Sequence, residues 1–279
     1  MHTFETPSPV RLAITNGAGR VTVEAADTTE STVELTALHP DAEDAIAQAI
    51  VEQRGDDIVV RLPRERSGLF RSRQASVAID VRVPSGSTLK TDLGSSDLRT
   101  VGALHDLTAK LGSGDAAIDV VTGSARAETG SGDVLLDRCD GSLHAASGSG
   151  DIAVGTVGGR TTTRCGSGNV TIQHAVGEVS SGSGSGDIVV RTSETGLKAK
   201  TGSGSVLVSD ARSGRIDATT ASGDVQVAVA DGTAVWLDLN TISGDVRSDL
   251  DSIDSPGETE RTLELRVKTA SGDIAVGRS

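Results

Sequence analysis

Carboxylates at a fixed spacing are the chemistry that this chain offers. Asp97, Asp115, Asp133 and Asp151 recur every 18 residues, and the series continues as Asn169, Asp187, Ser205, Asp224, Asp245 and Asp273. On coils stacked about 5 Å apart, neighbouring carboxylates repel by roughly 1 kcal/mol even in bulk water, so something must offset them. A divalent cation held by Asp115, Asp133 and Asp151 is one candidate, because calcium takes oxygen ligands and Gly/Asp-rich coils of the same length bind it. The substitutions point elsewhere. Asn169 and Ser205 keep a side-chain oxygen for a backbone N–H but discard the charge a cation needs, and the second glycine of each repeat is not followed by Asp. The ladder is therefore expected to cap turns. A calcium-stabilised array would instead melt lower in EDTA and recover on adding calcium.

Other reactive side chains form no constellation. His2, His39, His105, His144 and His174 fall at unrelated positions of the repeat, so no triad or metal cluster is expected from them. Cys139 and Cys165 are too far apart for a CxxC site, and they read as small core fillers replacing Val or Ser. Arg54-Gly55-Asp56 spells an adhesion tripeptide, but it coincides with the expected end of a helix, where Gly serves the backbone. The run Gly182 to Gly186 lacks the following helix that a phosphate cradle requires. No cofactor and no enzyme activity are expected.

The elements that carry the ladder are strands. Counting each Asp as position zero, positions one and three are apolar: Val134 and Leu136, Ile152 and Val154, Val170 and Ile172, Ile188 and Val190. Apolar residues alternating with polar ones mark a strand with one buried face. A second Gly halfway round, at Gly123, Gly141, Gly159 and Gly177, precedes a second alternation, such as Leu143 and Ala145. Two strands and two turns per 18 residues describe an all-β fold, a parallel two-faced β-solenoid or β-helix. The composition agrees. The aromatics are Phe4, Phe70 and Trp236, with no Tyr and 34 Gly, which suits a thin core of Val, Ile, Leu, Ala and Thr.

Residues 93–279 are the regular array, with an insertion over 249–262 where Pro256-Gly257 breaks the pattern and a mobile loop is expected. Residues 1–92 are a degenerate version of the same coils and form a cap of one continuous domain. A short helix over 41–53 there places Ala42, Ala45, Ile46, Ala49 and Ile50 on one side.

The succession of ITNGAGRVTV (Ile14 to Val23), VRVPSGSTLKTDLGSSDL (Val81 to Leu98), tandem TGSGDV units and KTASGDIAV (Lys268 to Val276) resembles the DUF4097 family of β-strand-repeat proteins, often labelled as candidate adhesins. The resemblance implies a single β-solenoid and carries no functional residues over.

At a formal net charge of −13 the glycine-rich, acidic chain offers no source of phosphate neutralisation, so nucleic acid is not an expected partner. No stretch approaches the roughly 18 apolar residues of a membrane span, and MHTFETPSPVRLAITNGAG carries no leader pattern. Membrane insertion is not expected, and the location is expected to be cytoplasmic, or the cell surface if the chain is exported by another route. The expected role is a non-enzymatic, adhesin-like interaction or scaffold module that binds a protein partner or another copy of itself, or a cell-surface glycan. The alternatives are a carbohydrate-binding or carbohydrate-active β-helix and a calcium-stabilised repeat protein.

Overall fold

The computed structural model describes residues 1–63, 75–250 and 261–279. They fall into two compact units, Met1–Gly141 and Ser142–Ser279. Each is a β-solenoid whose regular coils contribute two strands paired in parallel with those of the neighbouring coils, and inward side chains of the two faces meet in a narrow core.

In the first unit the long strand Arg11–Ala26 lies between strands that come later in the chain. Along one edge it pairs in parallel with Thr88–Val101, and along the other with Asp57–Arg61 and Ser76–Pro84. Beyond Thr88–Val101 the coils follow chain order through Leu107–Leu111, Ala116–Val121, Ala125–Thr129 and Val134–Cys139. At the other end the direction reverses. Ile50–Arg54 runs antiparallel to Asp57–Arg61, Glu30–Ala37 to Ser76–Pro84, and His2–Glu5 to Glu30–Ala37. Antiparallel strands so placed close an edge that would otherwise offer unpaired backbone groups.

The helix expected over 41–53 is shorter than its apolar spacing implies. A 3-10 turn spans Pro40–Ala42, the α-helix spans only Glu43–Ala47, and Ile50–Arg54 is a strand. Five residues make too few backbone hydrogen bonds to persist alone, whereas Ile50–Arg54 gains a full antiparallel partner. Arg54-Gly55-Asp56 is accordingly a hairpin tip between paired Arg54 and Asp57, not a helix end. Gly55 sits there at φ +61°, the conformation that the first central residue of a tight hairpin turn adopts.

In the second unit one face stacks Leu143–Ser147, Thr161–Cys165, Val179–Ser183, Gly196–Ser203 and Gly214–Ser222 in order. The other stacks Ile152–Val157, Val170–Ala175, Ile188–Ser193, Val206–Ala211 and Val225–Val229. The next coil is not the next in sequence. Arg261–Ser271 pairs with Gly214–Ser222 on one side and with Thr233–Ser243 on the other, and Ile274–Arg278 lies likewise between Val225–Val229 and Val246–Ser248. The last segment of the chain is thus the penultimate coil. The expected insertion over 249–262 falls largely outside the described residues.

The core follows the alternation. Val154, Ile172, Val190 and Val208 lie directly above one another and are buried, as are Ile152, Val170, Ile188 and Val206. Among the described residues no helix is long and apolar enough to cross a membrane.

Candidate functional site

Within each unit the aspartate ladder lies along one edge of the coils, and its members are exposed except half-buried Ser205. Each side chain reaches to the next coil. In the first unit the Asp115 N–H donates to Asp97 Oδ1 at 3.0 Å and the Asp133 N–H to Asp115 Oδ1 at 2.8 Å. In the second, Asn169 donates to Asp151, Asp187 to Asn169 Oδ1, Ser205 to Asp187 and Asp224 to Ser205 Oγ, at 2.7 to 3.4 Å. The ladder then skips: Asp273 donates to Asp224, and Asp245 to Asp273. The last two members are exchanged relative to the sequence, because their coils are. Among the described residues no group of three His, Cys, Asp or Glu side chains is arranged to hold a metal ion. A carbonyl oxygen of Asn169 serves as acceptor as well as a carboxylate does. Asp187→Asn is therefore expected to leave stability nearly unchanged, while Asp187→Ala, which strips the acceptor from the Ser205 N–H, should cost about 1 kcal/mol in urea unfolding. Equal loss in both variants would show that charge, not the hydrogen bond, matters.

Sequence reasoning missed a second ladder, four residues before the first and, except at half-buried Thr241, buried beneath the turns. The hydroxyls of Thr129, Ser183, Thr201, Thr220, Thr241 and Thr269 each donate to a glycine carbonyl of the coil below, at 2.9 to 3.2 Å. Thr129 and Ser183 also accept the N–H of the glycine that closes their own turn. Cys165 occupies this position with its thiol, donating to the Gly150 carbonyl at 3.1 Å and accepting the Gly168 N–H at 3.0 Å. Hydroxyl-bearing residues at a constant offset were a readable signal. Cys139 instead sits in the apolar core, where burial pushes its thiol pKa up.

The broad face of the second unit carries a feature that net charge conceals. On its outward side Arg164, Gly182, Lys200, Thr219, Lys268 and Asn240 are successive partners in register, a column with three exposed cations and no carboxylate. At the spacing of parallel strands, Arg164, Lys200 and Lys268 stand about 10 Å apart, on every second coil. Beside them is a groove of about 370 Å³ lined by Arg160, Glu178, Gly196, Lys198, Arg215 and Asp217, among others. Arg160 pairs with Glu178 at 3.2 Å and Arg215 with Asp217 at 3.0 Å, and the hydrogen bond to Asp217 raises the Arg215 pKa. The overall charge of −13 thus coexists with a local cationic column, while carboxylates line the turn edge.

A family model described as Toastrack DUF4097 matches residues 10–277. The chain is similar to the crystal structure of a candidate cell adhesion protein from Clostridium sporogenes ATCC 15579, at 10% identity and a TM-score of 0.23, with 99% of this chain and 94% of that one covered. It is also similar to the structure of a candidate adhesin from Bacteroides fragilis NCTC 9343, at 12% identity and a TM-score of 0.40, covering 99% and 95%. No curated protein matches it.

Proposed function

The chain belongs to the Toastrack DUF4097 family, and we propose that this member is a non-enzymatic, adhesin-like interaction module whose ligand is an anionic surface glycan. The column Arg164, Lys200 and Lys268 carries the proposal. Its regular cationic repeat matches a polymer bearing spaced carboxylates better than it matches a single small molecule, and Lys198 extends it toward the groove. Repeat solenoids present such extended regular surfaces. Polar neighbours on the same face, Thr162, Ser180 and Thr219, supply hydroxyls for sugar hydrogen bonds.

The test is titration of the protein with polygalacturonate as acidic probe, a neutral glucan as control and single-stranded DNA as an alternative polyanion. Binding to the acidic glycan, weakened by salt and reduced roughly tenfold or more by combined Lys198→Glu and Lys200→Glu, is expected. Equal binding to the neutral glucan, or no change in the double variant, would overturn this assignment. Stronger binding to DNA would replace the glycan with a nucleic-acid partner.

A further inference from the structure

The geometry points to a homodimer in which the outermost strand, Thr233–Ser243, pairs antiparallel with the same strand of a second copy, Leu239 lying opposite itself. This inference is independent of the glycan face. Among the described residues that strand pairs only with Arg261–Ser271, and no described strand lies along its other edge. Its inward side chains show the consequence. Leu263, Leu265 and Val267 are buried in the penultimate coil, whereas their register partners Val235, Leu237 and Leu239 are only half-buried. The outward side exposes Trp236 (55%) and Ile242 (86%), and Val246 on the adjoining strand is 46% exposed. In the first unit antiparallel strands lie along Asp57–Arg61 and Ser76–Pro84; along this edge, among the described residues, no such strand lies.

The occupant is identified by self-complementarity. In a two-fold antiparallel pair, residues directly opposite point to the same side with their Cβ atoms about 5 Å apart. Centring the axis on Leu239 sets Trp236 against Ile242 of the second copy, and Asp238 against Asn240 of the second copy. The first is an apolar pair. In the second, a carboxylate meets an amide that already donates to it within one chain, Asn240 Nδ2 to Asp238 Oδ1 at 2.7 Å. The inward residues also match, Leu237 against Thr241, so the half-buried core of one copy continues into the other. Neighbouring registers fail. Moving the axis to Asp238 confronts that carboxylate with its own copy, and moving it to Asn240 sets Asp238 against Ile242. The chain's sole tryptophan lies at this edge, with the Arg266 guanidinium 5.6 Å from its ring centroid, and gives a direct optical report.

Sedimentation velocity of the full chain, with Trp236 emission followed on dilution, tests the inference. A dimer whose dissociation shifts the emission to longer wavelength is expected, with Ile242→Lys monomeric by at least a tenfold weaker association. Ile242 is exposed, so that variant should keep the native circular dichroism, and Leu207→Lys on a lateral strand should stay dimeric. The register is read by mixing Asp238→Cys with Asn240→Cys under mild oxidation: the mixture should cross-link, and neither variant alone should. Native Cys139 and Cys165 are buried and do not compete. A monomer at every concentration, or a dimer untouched by Ile242→Lys, would overturn the inference. Cross-linking by either cysteine variant alone would overturn the register.

Discussion

Ile172→Ala is expected to destabilise the protein by about 2–5 kcal/mol, measured as a fall in the urea midpoint at unchanged slope. Ile172 is wholly buried, between Val154 in the coil before and Val190 in the coil after. The core is one side chain deep on each face and built from aliphatic residues, so no large ring stands by to swing into the space. The coils cannot collapse to fill it either, because backbone hydrogen bonds fix their spacing. The cost should therefore lie toward the upper part of that range. Ile172→Val, which gives the position the residue of its two stacked neighbours, should cost only about 0.5–1.5 kcal/mol. Similar losses in both variants would mean that the column is loosely packed.

Gly186→Ala is expected to cost about 3 kcal/mol or more, the upper end of what overpacking exacts. A Cβ there would stand 2.0 Å from the Gly168 carbonyl oxygen and 2.5 Å from its carbon, both backbone atoms of the preceding coil. That carbonyl cannot yield without loss, since it accepts the Ser183 hydroxyl at 3.0 Å, and the same hydroxyl accepts the Gly186 N–H at 2.9 Å. Gly182 gives the contrast. A Cβ on it meets nothing closer than the Lys200 carbonyl oxygen at 3.8 Å, so Gly182→Ala should be neutral or stabilise by about 0.5 kcal/mol through lost chain entropy. A Gly186→Ala protein as stable as the parent would show that neighbouring coils can part at the turn.

What could be read in advance was whatever repeats. The 18-residue step, the inward pairs such as Ile188 and Val190, and the strand periodicity of Ser76 to Val83 follow from alternation, because a strand with one buried face must alternate. Coil order does not follow from alternation. Arg261–Ser271 and Thr233–Ser243 have equally good patterns, and nothing in either states which stacks on Gly214–Ser222. The intervals before Asp245 and Asp273 lengthen to 21 and 28 residues, but length alone does not state which coil stacks on which. The helix over 41–53 failed because Ile50 and Val51 suit a helix face and a strand equally, and the partner Asp57–Arg61 decided between them. The cationic column was hidden by summation. Arg164 and Lys200 are two repeats apart and could have been found by stepping through the sequence, but Lys268 joins them only through the exchanged coil.

The exchange at the ends has a mechanical consequence. The strand nearest the C-terminus, Ile274–Arg278, is hydrogen-bonded along two edges, not one. A solenoid threaded in simple order would release its final coil from one neighbour when its terminus is pulled, unravelling a layer at a time. Here tension applied at the C-terminus enters a strand clamped between Val225–Val229 and Val246–Ser248, so the rows of hydrogen bonds on both sides bear the load together.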